Sequence, residues 1–239
     1  MVDDVRARLA TARTIAVLTG AGISADSGVP TFRGVDGLWR THRAEELATP
    51  EAFARDPRLV WEWYDWRRGL IASKQPNAAH HALAALEQRG DGVTLITQNV
   101  DGLHGLAGSR RLFELHGNIW TVRCTVCGAR STDRRVPLPL SPQLPACPSC
   151  GGLLRPHIVW FGEALEESIL DAAIAAAAAA EVFVVIGTSG VVQPAASLAS
   201  MAREAGAWVV EVNPECSENP AIHCWLAGRA AQIVPRLVA

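Results

Sequence analysis

The amino-acid sequence predicts an α/β protein in which a doubly wound, Rossmann-type parallel sheet carries a smaller domain. Short β-branched apolar runs alternate with segments of helical length along most of the chain, and this alternation is typical of a parallel sheet. A glycine turn at residues 20–22 follows the first apolar run directly, as in dinucleotide-binding folds. Two Cys-x-x-Cys pairs lie in a turn-rich segment that interrupts the alternation, and they predict the smaller domain.

The first predicted elements surround the glycine turn. They are a helix over residues 1–13, a strand over residues 14–18 and a short helix from Ser24 to Ser27, whose N-terminus would attract a phosphate. The later predicted elements of the large domain are helix 78–89, strand 93–97, strand 112–115, helix 163–180, strand 182–186, helix 194–205, strand 208–212 and a final strand near 232–234.

Two segments differ in composition from this α/β pattern. Residues 35–75 are rich in Trp and Arg, show helical spacing from about residue 57 to residue 73, and carry no strand signal. Residues 117–156 contain the paired cysteines. We therefore predict a small domain made of residues 35–75 and 117–156, and a large domain made of residues 1–34, 76–116 and 157–239.

Composition limits the classes of partner and compartment. A formal net charge of −2 provides no basic surface for nucleic acid, so we expect no direct nucleic-acid partner. The N-terminus is charged rather than signal-like, and the longest apolar tract, residues 172–180, is too short to span a bilayer. Four of the six cysteines are in Cys-x-x-Cys pairs, which indicates metal binding in a reducing compartment. We expect a cytoplasmic monomer that does not bind membranes.

The glycine turn predicts a dinucleotide site. Its pattern, Gly20-x-Gly22-x-x-Ala25, fits the relaxed dinucleotide-binding fingerprint, and glycine lets backbone N–H groups approach a ligand closely. The same pattern also fits a tight turn with small packing residues. A dehydrogenase would place an acidic residue at the end of a second strand about 20 residues on. The nearest acidic residue, Asp36, lies in a predicted loop, which argues against ordinary hydride transfer.

The two cysteine pairs, Cys124-x-x-Cys127 and Cys147-x-x-Cys150, predict a metal site. Glycine follows each pair, so the backbone can fold until both thiolates face one ion. Four thiolates make a closed tetrahedral Zn²⁺ site with no position for water, which is the arrangement of a structural zinc. Redox-active or free cysteines are the alternative that this spacing disfavours.

Polar residues follow two of the predicted strands at their carboxyl ends, where ligands bind in such sheets. Gln98, Asn99 and Asp101 follow the strand 93–97, although a hydrogen-bonded turn explains the same residues. His116 follows the strand 112–115 and is the histidine best placed to act as a general base, although a lone histidine is more often structural.

These motifs together resemble those of the sirtuins, the NAD-dependent protein lysine deacylases. The stretches that carry the resemblance, in chain order around the cysteine pairs, are GAGISADSGVPTFRG, TQNVDGLH, LHGN, RPHIVWFGE, GTSG and EVNPE. The resemblance runs from residue 14 to about residue 235. The chain is similar to the class III branch, the desuccinylases and demalonylases, because Thr31 replaces an aspartate of many acetyl-preferring members and because Ala25 and Tyr64-x-x-Arg67 are present.

The resemblance implies a role for each matching residue. The implied NAD contacts are Gly20, Ala21 and Gly22 for the pyrophosphate, Phe32 and Arg33 for the nicotinamide ribose, Gln98 and Asn99 for the ribose or an ordered water, Asp101 for the carboxamide, Gly187, Thr188, Ser189 and Asn213 for the adenosine half, and Ala230 for the adenine. The implied substrate contacts are Val159, Trp160, Phe161 and Gly162, which would pair with the peptide as a strand, and Ala25, Tyr64 and Arg67, which would receive the acyl group. The implied catalytic residues are His116, as general base, and Asn99.

The implied reaction consumes NAD as co-substrate and an acylated-lysine protein or peptide, and it gives nicotinamide, 2′-O-acyl-ADP-ribose and free lysine. The single zinc takes no part in it. Gln193 stands where relatives often have tyrosine, so the sequence does not predict the peptide contact there. Two alternatives stay open: mono-ADP-ribosyl transfer at the same NAD site, and a non-catalytic NAD-sensing zinc-ribbon protein.

Overall fold

The computed structural model describes residues 1–30, 38–39, 42–90 and 92–238. The described helices are α1 (Val2–Thr11), α2 (Ala44–Leu47), α3 (Pro50–Arg55), α4 (Pro57–Ala72), α5 (Ala78–Glu87), α6 (Leu103–Ala107), α7 (Glu167–Ala178), α8 (Leu198–Glu204) and α9 (Ala230–Val238). The described strands are β1 (Ile15–Thr19), β2 (Leu38–Trp39), β3 (His42–Arg43), β4 (Val93–Thr97), β5 (Leu112–Glu114), β6 (Gly117–Cys124), β7 (Arg130–Thr132), β8 (Leu154–Ile158), β9 (Val182–Ile186), β10 (Trp208–Asn213) and β11 (Cys224–Ala227).

A parallel sheet forms the centre of the molecule, with its strands in the order β11-β10-β9-β1-β4-β5. Every residue of β1, β4 and β9 is buried, as expected of apolar, β-branched strands covered on both faces. The chain moves outward from β1 to β4 and β5 on one side, and from β9 to β10 and β11 on the other. The strand order therefore reverses between β1 and β9, and the crevice at their carboxyl ends is where such sheets bind ligands.

Helices cover both faces of this sheet, so the predicted doubly wound fold is confirmed. One core cluster joins α1, α5 and α9 to one face, and a second joins the alanine-rich α7 and α8 to the other. No helix among the described residues is long and apolar enough to cross a membrane.

The C-terminal region differs from the prediction. The predicted final strand near residues 232–234 is wrong, because those residues lie in α9. Apolar residues recur there at helical spacing and face the core; they are Ala230, Ile233, Val234, Leu237 and Val238. The last strand of the sheet is instead β11, which pairs with β10 in parallel.

The turn after β1 and the segment after β4 also differ in detail. The predicted helix from Ser24 to Ser27 is two single 3₁₀ turns, Ala21–Ile23 and Ala25–Ser27, the second ending at Gly28 in the left-handed region (φ 78°). These turns are too short to act as a helix N-terminus for phosphate. The short helix α6 was not predicted, because only five residues form it between two glycines.

The segment 42–72 is mainly helical, as predicted, although the expectation of no strand in residues 35–75 is wrong: β2 and β3 form a two-residue antiparallel hairpin. Helix α4 begins at Pro57 after Asp56, whose carboxylate accepts a hydrogen bond from Leu59 N at 2.9 Å. Its buried Arg68 donates from Nε to the carbonyl oxygen of Ile119 at 3.0 Å, which fastens the helix to β6.

The cysteine-containing segment is a three-stranded antiparallel sheet in the order β7-β6-β8, packed with α3 and α4 in a third core cluster. Strand β8 pairs with β6 as far as Ile158, so the predicted boundary after residue 156 falls inside a strand. The division into two domains, with the small one made of residues 35–75 and 117–156, stays a prediction.

Candidate active site

Two glycine turns meet where the strand order reverses. Gly22 N donates a hydrogen bond to the carbonyl oxygen of Gly187 at 2.8 Å, and a Cβ atom on Gly22 would lie 2.7 Å from Gly187 Cα. Gly20 is equally close to this second turn, and Gly187 has a φ of 60°. Only glycine fits such an approach of two backbones. The turns leave Ala21 exposed at the carboxyl ends of β1 and β9, as a dinucleotide-binding crevice requires.

A buried hydrogen-bond network lies beneath this turn and joins it to the end of β4. Asn99 Nδ2 donates to the Gly20 carbonyl oxygen at 3.1 Å and to Ser24 Oγ at 3.2 Å. Ser24 Oγ in turn donates to Asp101 Oδ2 at 2.7 Å, and Asp101 Oδ1 accepts from Leu103 N at 2.8 Å. Burial raises the pKa of Asp101, and these hydrogen bonds oppose that rise. The predicted Asn99 and Asp101 therefore lie together at the first glycine turn, linked by Ser24, which was not predicted.

Two histidines that were not predicted extend this network into the core. His80 Nδ1 accepts from Asn77 N at 3.2 Å, which leaves its proton on Nε2, 3.4 Å from Ser24 Oγ. His104 Nε2 lies 3.0 Å from Thr19 Oγ1. Burial lowers the pKa of His80 to about 4 and that of His104 to about 3, so both imidazoles are neutral at neutral pH. In the sequence, only the position of His104 in TQNVDGLH connected either of them with the site.

His116 has the protonation state of a general base. Its Nδ1 lies 3.0 Å from the carbonyl oxygen of Gln98. A carbonyl oxygen only accepts, so Nδ1 carries the proton and Nε2 keeps a free lone pair. Burial lowers the pKa of His116, although its bond to Gln98 opposes the shift, and the neutral form therefore prevails near pH 7. The Gln98 side chain donates to Thr188 Oγ1 at 3.0 Å, which ties this strand end to the second glycine turn.

The end of β10 closes the other side of the crevice. Asn213 Nδ2 donates to the Thr188 carbonyl oxygen at 2.7 Å and to Glu211 Oε1 at 3.1 Å. Glu211, also not predicted, is fully buried and accepts from Ser217 N and Oγ, so it fixes both Asn213 and the following loop. Ala230 lies at the start of α9 with its side chain buried in the core.

Tyr64 and Arg67 lie on one face of α4, and both are buried. The Tyr64 hydroxyl oxygen accepts a hydrogen bond from Trp160 Nε1 at 2.8 Å. The guanidinium carbon of Arg67 lies 4.9 Å from the ring centroid of Trp63 and 5.5 Å from that of Tyr64. Burial lowers the pKa of Arg67, while the nearby Tyr64 and Asp101 oppose the shift. Ala25 is exposed on the second 3₁₀ turn, Ala25–Ser27.

The segment after β8 runs beside His116. Val159 N donates to the His116 carbonyl oxygen at 3.0 Å, and Phe161 N donates to the Ala48 carbonyl oxygen at 2.9 Å. Trp160 is buried, whereas Phe161 is 56% exposed and Gly162 has a φ of 84°. Backbone hydrogen bonds thus fix this segment at Val159 and Phe161, and it belongs to none of the sheets among the described residues. Thr31, Phe32 and Arg33 lie outside the described residues.

The four paired cysteines form one cluster, in which all Sγ atoms lie within 4.8 Å of one another. Cys124 and Cys150 Sγ atoms are 3.5 Å apart, and Cys127 and Cys147 Sγ atoms are 3.7 Å apart. Tetrahedral zinc with Zn–S bonds of about 2.3 Å requires S···S distances of about 3.8 Å.

The backbone around this cluster also suits a metal. Gly128 and Gly151 follow the two pairs with φ of 73° each, as the sequence predicts. Hydrogen bonds from Cys127 N and Val126 N lower the pKa of Cys124 to about 6, which favours the thiolate that a metal binds. The cluster therefore fits a closed, structural zinc site.

Comparisons with known proteins agree with this architecture. The model of the Sir2 family matches residues 20–194. An NAD-dependent protein deacylase of Pyrococcus furiosus is 53% identical over 242 residues, covering 100% of this chain and 97% of that protein. The crystal structure of a Sir2 homologue in complex with NAD has a TM-score of 0.92 and 47% identity, covering 99% of this chain and 92% of the other. A structure of Sir2 bound to an acetylated peptide has a TM-score of 0.87 and 31% identity, covering 99% and 97% of the two chains.

Proposed function

This chain belongs to the Sir2 family and is an NAD-dependent protein deacylase, and we propose that it removes succinyl and malonyl groups from lysine as well as acetyl groups. The observation that carries this acyl specificity is the buried pair Tyr64 and Arg67 on one face of α4, in which the Tyr64 hydroxyl accepts a hydrogen bond from Trp160 in the segment that follows β8. Family membership also excludes the alternative of a non-catalytic zinc-ribbon protein.

The NAD site that we propose lies across the two glycine turns. The pyrophosphate would lie against the backbone of residues 20–22, with the adenosine half toward Thr188 and Asn213 and the nicotinamide half toward Asn99 and Asp101. Support comes from the close backbone approach of the turns and from the buried Asn99–Ser24–Asp101 network, which fixes polar groups in a cleft shielded from water. NAD, when bound, supplies an ADP-ribose that accepts the acyl group as nicotinamide leaves.

His116 is the general base in this proposal. Its Nε2 lone pair would remove the proton of a ribose hydroxyl, which then attacks the acyl carbon. The backbone carbonyl of Gln98 holds the ring by Nδ1, so the ring keeps its tautomer and orientation while Nε2 takes up the proton. The lowered pKa of His116 keeps Nε2 available at neutral pH.

The substrate peptide would pair with residues 159–162, and the acyl-lysine would enter toward α4. A buried guanidinium is costly to desolvate, and the lowered pKa of Arg67 reflects this cost. The carboxylate at the end of a succinyl or malonyl chain would offset it and would form charge-assisted hydrogen bonds, each contributing roughly 1.5–3 kcal/mol. That range corresponds to about one to two orders of magnitude in kcat/KM.

The test compares acetyl-, malonyl- and succinyl-lysine peptides of one sequence, each with NAD. We expect Arg67→Met and Tyr64→Phe to raise the KM for the succinyl and malonyl peptides about 10- to 100-fold while changing the acetyl peptide far less. Arg68→Met is the matched control: this neighbouring buried arginine bonds to Ile119 O, so its loss should lower stability and affect all peptides alike.

Two outcomes would contradict the proposal. Equal losses on all three peptides in Arg67→Met would mean that Arg67 supports the fold and does not select the acyl group. Transfer of ADP-ribose to protein, with no loss of the acyl group, would favour the mono-ADP-ribosyltransferase alternative.

A further inference from the structure

The indole of Trp160 fixes the direction of the Tyr64 hydroxyl proton. Trp160 Nε1 and Tyr64 Oη are 2.8 Å apart, and both side chains are buried. An indole N–H only donates, so the tyrosine oxygen must accept this hydrogen bond. A phenolic O–H bond lies near the ring plane in one of two orientations. The orientation that points at Trp160 is therefore excluded, and the proton points to the opposite side.

The other groups near this hydroxyl do not accept its proton. Burial raises the pKa of Tyr64, and the charges of Arg67 and Arg155 oppose that rise. A guanidinium has no acceptor atom, so Arg67 is the donor in its hydrogen bond with Tyr64. Glu163 is the nearby carboxylate, and its oxygens accept from Arg155 at 2.6 and 2.9 Å and from Trp160 N at 2.9 Å. Among the described residues, the Tyr64 oxygen thus receives hydrogen bonds from Trp160 and Arg67, while its proton has no protein acceptor.

Trp160 itself is held rigidly. The guanidinium carbon of Arg155 lies 3.2 Å from the indole centroid, and Phe53 packs against the same ring at a centroid distance of 5.3 Å. Arg155 in turn is fixed by its hydrogen bonds to Glu163. These contacts on the indole ring and its hydrogen bond to Tyr64 stabilise Trp160 in this orientation.

We propose that Trp160 is a specificity-determining positioning residue, which aims the Tyr64 O–H at the distal carboxylate of a dicarboxylic acyl chain. The proposal rests on the proposed function. A carboxylate offers two acceptor oxygens, one for the Tyr64 proton and one for the Arg67 guanidinium. The acetyl group ends in a methyl, so a correctly aimed donor gives it no advantage.

Trp160→Phe tests this, because it keeps an aromatic ring and removes the N–H donor. We expect the ratio of kcat/KM for succinyl peptide to that for acetyl peptide to fall about 3- to 10-fold, the scale of one hydrogen bond. Trp61→Phe is the matched control, since it removes an indole hydrogen bond of 2.9 Å to Leu154 O in the same cluster. It should leave the ratio unchanged, and thermal unfolding will establish that both variants are folded.

A double-mutant cycle separates a role through Tyr64 from a general packing effect. If Trp160 acts through the hydroxyl, Trp160→Phe should change the ratio no further in a Tyr64→Phe background. A second fall of the same size would overturn the proposal. An unchanged ratio in Tyr64→Phe alone would also overturn the proposal, and this measurement does not depend on whether the Trp160 variant folds.

Different experimental results would refute this proposal and the proposed function. If Arg67→Met lowers the ratio and Trp160→Phe does not, the dicarboxylic specificity stands and the positioning role of Trp160 is refuted. If the wild-type protein shows no succinyl activity that depends on Arg67, the proposed acyl specificity itself is refuted.

Discussion

Replacing Gly22 by alanine forces apart the two turns on which the proposed NAD site depends. The added Cβ would lie 2.7 Å from Gly187 Cα and 2.8 Å from its carbonyl oxygen, whereas carbon atoms pack at about 3.5–4.0 Å. Both contacts are to backbone atoms, so no rotamer change relieves them. Overpacking costs about 1–3 kcal/mol, and losing the Gly22 N to Gly187 O hydrogen bond adds about 0.5–1.5 kcal/mol.

We therefore expect Gly22→Ala to lower the free energy of unfolding by about 2–4 kcal/mol, which is about 4–16 °C in Tm for a chain of this size. The affinity for NAD, measured by titration calorimetry, should fall as well, because the turn that would hold the pyrophosphate is displaced. Gly69→Ala is the matched control. Gly69 lies exposed in α4, and a Cβ atom added there would have no neighbouring atom within 4 Å. This substitution should therefore raise the free energy of unfolding by about 0.5–1 kcal/mol. A Gly22→Ala protein with unchanged Tm and NAD affinity would refute the reasoning.

The zinc and the buried histidines give two further predictions. Cys124→Ser or Cys147→Ser should lower the zinc content and the Tm together, because a structural zinc contributes folding free energy. Metal analysis and calorimetry measure the two quantities. A zinc-free variant with the wild-type Tm would contradict the prediction. Burial lowers the pKa of His80 to about 4 and that of His104 to about 3, whereas both have a pKa of 6.5 in the unfolded chain. Between these values the unfolded chain binds more protons than the folded protein. The free energy of unfolding should therefore fall as the pH drops from about 6.5 to 4. Urea unfolding across this pH range should show that the free energy of unfolding falls less steeply in His104→Gln than in the wild type. The same pH dependence in both proteins would contradict the lowered pKa of His104.

Five of the six strands of the large sheet and the metal site were predictable because their signals are local. The runs Val93–Thr97 and Val182–Ile186 are continuous, β-branched and bounded by turn residues, and the structure gives them those same bounds. The cysteine cluster follows from spacing alone, since each pair and its glycine form one tight turn.

Helix α9 was mispredicted because its local and tertiary signals conflict. Gln232-Ile233-Val234 before Pro235 is typical of a strand that ends at a proline. The helical spacing of the apolar residues from 230 to 238 matters more, because it lets one face pack onto the core with α1 and α5.

Some residues of the candidate site were likewise predictable from local sequence, and others depended on tertiary contacts. Residues at strand ends, such as Asn99 and His116, were predictable from the rule that ligands gather at the carboxyl ends of parallel strands. Ser24, His80 and Glu211 were not, because their significance lies in partners that only the fold supplies: Ser24 and Asp101, for example, are 77 positions apart in the chain. Single-sequence patterns carry no information on such contacts.

The most direct test of the account is to incubate the protein with NAD and an acetylated or succinylated peptide, and to quantify nicotinamide and deacylated peptide in the wild type and in His116→Ala. The account predicts equal molar amounts of both products in the wild type and none without NAD. In His116→Ala, which should still fold and bind NAD, turnover should fall about 10²- to 10⁴-fold. Near-wild-type turnover in that variant, or deacylation without NAD, would contradict the central claim.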